Sequence, residues 1–130
     1  AQARDVVNAK ENGYDSVLEQ NGRNLSGGQK QRISVARAIA KRPEVLILDD
    51  SSSALDNITD LKLRRAIKSL DYPVTTFIVS QRASSVLGAD KIIVMDEGEI
   101  VGTGTADELR KTCAVFREIE DSQSSSEARK

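Results

Sequence analysis

Residues 25–50 read LSGGQKQRISVARAIAKRPEVLILDD, and this stretch decides the fold. Ser26 stands three residues before Gln29, the spacing of a capping box, in which hydroxyl and amide each satisfy a backbone N–H at a helix start. Ile33, Val35, Ala36, Ile39 and Ala40 follow at helical intervals until Pro43 closes the element, because the residue before a proline is pushed out of the α region. Val45-Leu46-Ile47-Leu48 is then a continuous apolar run ending in Asp49-Asp50, the pattern of a buried central strand whose carboxyl end emerges at a site. Further on, Ile58, Leu61, Ala66, Ile67 and Leu70 pattern a second long helix after Asp56, and Thr75 to Ser80 reads as another buried strand. Strand, helix, strand in that order predicts an α/β fold with a parallel sheet.

Outward from this centre, residues 1–11 read as a short helix stopping near Asn12-Gly13, and the chain to Asn24 is rich in turn residues. Lys91 to Met95 and Glu99 to Val101 read as strands around Asp96-Glu97-Gly98, a hairpin signal. Thr105 with Glu108 caps a last helix reaching about Glu120. Residues 122–130, with three consecutive serines and no apolar anchor but Ala128, are expected to be a disordered tail.

The chain has 130 residues, which makes one compact unit the expected ceiling. Its longest apolar runs are far short of the ~20 residues that span a bilayer. Nineteen Lys and Arg against twenty Asp and Glu give a formal charge of −1, which argues against a basic nucleic-acid surface or a polybasic membrane arm. Cys113 is the only cysteine and there is no histidine, which excludes an intrachain disulfide, a Cys/His zinc site and any histidine base. Chemistry here must use carboxylates, amides, hydroxyls and backbone. Because the chain starts at Ala1 without Met or a signal-like segment, it reads as an internal piece of a longer protein.

Leu25-Ser26-Gly27-Gly28-Gln29 puts a hydroxyl and two Cβ-free residues at a helix start, where open N–H groups and the positive end of the dipole favour an anion. That is a candidate phosphate seat; the plainer reading is a cap with two permissive glycines. Leu25 to Gln29, with Lys30-Gln31-Arg32 and the helix to Pro43, resembles the signature motif of the ATP-binding cassette (ABC) family. Val45 to Asp49 resembles its Walker B strand, Ser53-Ala54-Leu55-Asp56 its D-loop, and Ile78-Val79-Ser80-Gln81-Arg82 its switch region. Gly13-Tyr14-Asp15-Ser16 and Gly22 resemble the segment before the signature in exporter-type members, and Gly102-Thr103-Gly104-Thr105 with Glu108-Leu109 resembles their C-terminal end.

The resemblance implies the C-terminal part of a P-loop NTPase sheet with part of the helical subdomain. Residues 1–43 would supply the helical part with the signature, and 44–121 the core part. It implies an ATPase subunit of an exporter, on the cytoplasmic side of a membrane, with ATP and Mg²⁺ as cofactors. Its partners would be a transmembrane domain of the same parent chain and a second nucleotide-binding domain. Asp49 would hold the metal. Ser26, Gly27, Gly28 and Gln29 would close in trans over the partner's nucleotide, with Ser53 and Asp56 in the D-loop.

Two positions depart from the family pattern. Asp50 stands where the family has a catalytic glutamate, one methylene shorter, and Gln81 stands where it has the switch histidine, able to hydrogen-bond a phosphate but not to become cationic. Together they resemble the degenerate member of a heterodimeric exporter, whose own site turns ATP over poorly. Gln20 is a third departure, at a position where exporters often carry Glu.

The chain has no Gly-Lys pair and hence no G-x-x-x-x-G-K-[ST] loop, so alone it is expected to be inactive. Two rival readings are a DNA-repair or chromosome-maintenance ATPase and a non-catalytic interaction module that lends its signature to a partner. Arg37, Arg64 and Arg65 read as solvated or salt-bridged, and Cys113 as a small packed apolar residue.

Overall fold

The computed structural model describes residues 2–50 and 54–127, the last four as backbone only. They form two compact units, one ending at Val79 and one beginning at Ser80, where the length suggests one.

The first unit runs α1 (Arg4–Asn8), α2 (Gly27–Ile39), β1 (Val45–Asp49), α3 (Asn57–Lys68) and β2 (Thr75–Val79). β1 and β2 are parallel neighbours, with Leu46 opposite Thr76 and Ile47 opposite Phe77, as the alternation of elements requires. Val35 of α2, Leu46 and Leu48 of β1, Leu55, and Leu63 and Ile67 of α3 form one buried cluster. Burying a side chain such as Leu63 contributes roughly 1.5–3 kcal/mol. α2 and β1, on either side of residues 43 and 44, share that core.

β1 is not buried on both faces. Leu46 and Leu48 point into the cluster, but Val45 is 52% exposed, Ile47 66%, Phe77 55% and Val79 56%. A continuous apolar run predicts a strand covered on both sides; here α2 and α3 cover one side only, and the other is an open apolar strip.

The second unit holds β3 (Ile92–Asp96), β4 (Glu99–Gly104), α4 (Ala106–Thr112) and α5 (Ala114–Glu127). β3 and β4 form the expected antiparallel hairpin, with Asp96 opposite Glu99. Its two-residue turn has positive φ at both Glu97 (46°) and Gly98 (84°), the backbone a tight right-twisted hairpin demands. Ile92, Val94, Ala106, Leu109, Cys113 and Phe116 make the core, so Cys113 packs as a small apolar residue. Gly102 allows α4 to approach: a Cβ there would stand 2.9 Å from the Cys113 sulfur and 3.0 Å from Leu109 Cδ2.

Thr105 and Glu108 form the expected capping box, but the helix they open is shorter than expected. Cys113 turns to extended backbone (φ −120°, ψ 110°), which tips its side chain into the core and starts α5 as a separate helix. α5 then runs to Glu127, past Ser122 where a disordered tail is expected to start; residues 128–130 lie outside the described residues. The segment lacks apolar anchors, and its anchor is polar instead: Gln123 hydrogen-bonds the backbone of Gln81 and Ala83. Among the described residues no helix is long and apolar enough to cross a membrane.

Candidate functional site

Ser26 is the N-cap of α2, and the capping box read from the sequence is complete. The Gln29 N–H donates to Ser26 Oγ at 3.3 Å, and the Ser26 N–H to Gln29 Oε1 at 2.9 Å. Both polar side chains of the candidate phosphate seat are therefore engaged in shaping the helix start. The Gly27 and Gly28 N–H groups, which have no acceptor within the helix, are the donors the first turn offers to an anion.

These glycines also admit the segment that leads into α3. A Cβ on Gly27 would meet Ala54 Cβ at 3.2 Å, and one on Gly28 would meet the Ala54 carbonyl oxygen at 2.9 Å and Leu55 Cδ2 at 3.3 Å. An open cavity of about 360 Å³ lies here, lined by Ser26, Gly27, Gly28, Arg32, Asp56 and Thr59 among others. Asp56 caps α3, accepting from the Thr59 N–H at 3.2 Å, and its contacts with the Thr59 side chain and backbone hold its carboxyl below the usual range. Arg32 reaches from α2 to Asp5 at 2.8 Å, and that guanidinium lowers the Asp5 pKa. The structure thus brings Ser26, Gly27, Gly28, Gln29 and Asp56 around one opening; Ser53 lies outside the described residues.

Asp49 ends β1 and Asp50 follows it, both exposed, so two adjacent carboxylates stand at the carboxyl end of a parallel strand. Asp50 sits at φ 43°, a left-handed conformation uncommon outside glycine, asparagine and aspartate, and its N–H donates to the Val79 carbonyl at 3.1 Å. Hard carboxylate oxygens suit Mg²⁺, which needs only one or two from a protein and fills its octahedron with water and phosphate. The adjacent carboxylates of Asp49 and Asp50 are such donors, so the residues present fit Mg²⁺ shared with a phosphate; among the described residues there is no group of three or more His, Cys, Asp or Glu that could hold a metal by itself. Gln81 lies in the second unit, two residues beyond β2, and its carbonyl accepts from Gln123 Nε2 at 2.6 Å.

Gln31 is a residue of the site that the motifs do not reveal. Its amide nitrogen donates to the Asp50 carbonyl at 3.3 Å and its amide oxygen accepts from the Ala54 N–H at 3.2 Å, so one side chain of α2 spans the loop between the strand end and α3. Its position within the signature helix is legible, but a contact across nineteen residues leaves no local pattern.

A family model described as "ABC transporter" matches residues 1–53. An uncharacterized ABC transporter ATP-binding protein of Bacillus subtilis, YfiB, is 46% identical over 123 residues, 95% of this chain and 21% of the relative. The beta-(1→2)glucan export ATP-binding/permease protein NdvA of Brucella melitensis is 41% identical over 119 residues, 92% of this chain and 20% of the relative. Among solved structures, that of a bacterial Atm1-family ABC exporter with ATP bound aligns with a TM-score of 0.84 at 32% identity, over 92% of this chain and 21% of that one. The chain spans about a fifth of the length of these relatives. With the signature-like helix start, the strand-end carboxylates and these likenesses in agreement, the chain belongs to the ABC transporter ATP-binding family, its α/β fold that of an exporter's P-loop NTPase domain.

Proposed function

We propose that this chain is the C-terminal half of a nucleotide-binding domain in an ABC exporter, where it couples ATP binding and hydrolysis to transport. The observation that carries the reading is the joint between the helix start and the D-loop-like segment. Only glycine at 28 permits that approach, and the same two glycines leave first-turn N–H groups open to an anion. Ser26, Gly27, Gly28 and Gln29 then close over nucleotide held by a second, non-identical nucleotide-binding domain. A transmembrane domain of the same parent chain transmits the motion from the cytoplasmic side of the membrane.

At this chain's own site, Asp49, at the carboxyl end of β1, would hold the metal. Bound Mg²⁺ would neutralise phosphate oxygens. Asp50 orients the attacking water from a shorter arm than glutamate, and Gln81 contacts the terminal phosphate without supplying charge. Positioning is most of phosphoryl-transfer catalysis, so this pair makes a slow site, and the intact signature makes a competent one in the partner.

The test is ATPase activity of the assembled transporter carrying Ser26→Arg, which fills the anion seat with a long side chain. Losing the cap costs about 1 kcal/mol of stability, so assembly is checked alongside. Loss of most turnover in a dimer that still assembles supports the reading; unchanged turnover overturns it.

A further inference from the structure

Gln123 lies on α5 at the seventh position after Phe116, with Glu120 between them, so the three share one helix face. Phe116 is 3% exposed in the core of the second unit, and Glu120 is held by Arg110 at 2.8 and 3.0 Å. Arg110 also pairs with Asp107 of α4 at 2.8 Å, and Arg117 donates to the Arg110 carbonyl at 2.9 Å. α5 is therefore braced where it reaches the residues after β2.

There, the Gln123 amide makes two hydrogen bonds to main chain. Its Nε2 donates to the Gln81 carbonyl at 2.6 Å and its Oε1 accepts from the Ala83 N–H at 2.8 Å. Between them the Arg82 N–H donates to Ser80 Oγ at 3.0 Å. Three consecutive residues thus have a backbone group held by a side chain, and the donor-acceptor order of a neutral amide is what this pair of sites needs.

We propose that Gln123 is a positioning residue for the switch segment: by clipping the main chain on both sides of Arg82 to α5, it holds the backbone that carries Gln81, the residue read as the contact to the terminal phosphate of bound nucleotide. The inference rests on the reading of Gln81 as a phosphate contact.

The experiment uses the full-length subunit assembled with its partner, the partner's own site blocked, and measures Kd for Mg-ATP and Mg-ADP separately. Gln81→Ala should lower the preference for ATP over ADP about tenfold, the weight of a hydrogen bond to a charged group. Gln123→Met keeps the length of the side chain and removes both bonds; it should lower the same preference about three- to fivefold with ADP affinity unchanged. Gln123→Glu keeps the acceptor for Ala83, loses the donor to Gln81, and should fall the same way. A merely structural role would weaken both nucleotides equally. An ATP preference unchanged in both Gln123 variants, with Gln81→Ala defective, overturns the clip alone. An unchanged preference in Gln81→Ala overturns the phosphate reading and the clip with it.

Discussion

Gly28 and Ala54 approach so closely that a Cβ on the glycine would lie 2.9 Å from the alanine carbonyl oxygen. In an exposed helix, replacing glycine by alanine gains about 1 kcal/mol. Here the obstacle is backbone, so Gly28→Ala should instead cost roughly 1–3 kcal/mol as the joint opens. Gly88, where an added Cβ would meet nothing within 4 Å, serves as the control. Urea unfolding of the whole ATP-binding domain checks both; a stabilised Gly28→Ala would mean the joint yields freely.

Gln31 ties the Asp50 carbonyl to the Ala54 N–H through one side chain. Gln31→Met keeps the volume and removes both bonds, and should cost about 1–2 kcal/mol in the same assay. Because the bridge spans the ends of the loop that carries the D-loop-like serine, turnover of the assembled transporter should fall more than stability alone explains.

Among the described residues three carboxyls are held below their ordinary range: Asp5 by Arg32, Asp56 by its bonds with Thr59, and Glu108 by its bonds with Thr105. Their ordinary values are 3.8, 3.8 and 4.5. A folded pKa below the unfolded one contributes stability that is present above the unfolded value and lost as pH falls through the folded value. Denaturant midpoints should therefore hardly change with pH near neutrality, where this contribution is fully present, and drop from about pH 4.5 downward. Asp5→Asn and Glu108→Gln should each flatten that acid limb; an unaltered limb would show that the ion pair and the cap do not persist in solution.

Much of this is legible in the sequence because it is local. Ser26 with Gln29, Thr105 with Glu108, and the turn at Glu97-Gly98 are recorded within four residues each, and the structure contains all of them. The one-sided burial of β1 is not legible, because apolar character states what a face could bury, and whether a neighbour covers it depends on elements elsewhere; Ile47 and Phe77 remain open. The break at Cys113 leaves no local signal because its cause is the packing of Cys113 beneath Gly102, nor does the helical run past Ser122, whose anchor is an amide bonded forty residues away. The site divides the same way: the motif residues are readable, and the two glutamines that hold their loops are not.

The open strip of Val45, Ile47, Phe77 and Val79 should make the 130-residue chain associate when studied alone. Ile47→Ser with Phe77→Ser should reduce light scattering at a given concentration while leaving the cluster around Leu46 and Leu63 intact, since neither residue belongs to it. Unchanged scattering would assign association to another surface.

The central claim, that this chain contributes a slow site and completes a fast one, is tested most directly by comparing two carboxylates in the assembled transporter. Asp50→Asn removes the charge while keeping a residue type tolerant of the left-handed backbone found at φ 43°. Steady-state ATPase activity should change little in Asp50→Asn, while neutralising the matching carboxylate of the partner domain should cost on the order of 10²-fold or more. An equal loss from both changes would contradict the account and make Asp50 a working catalytic residue.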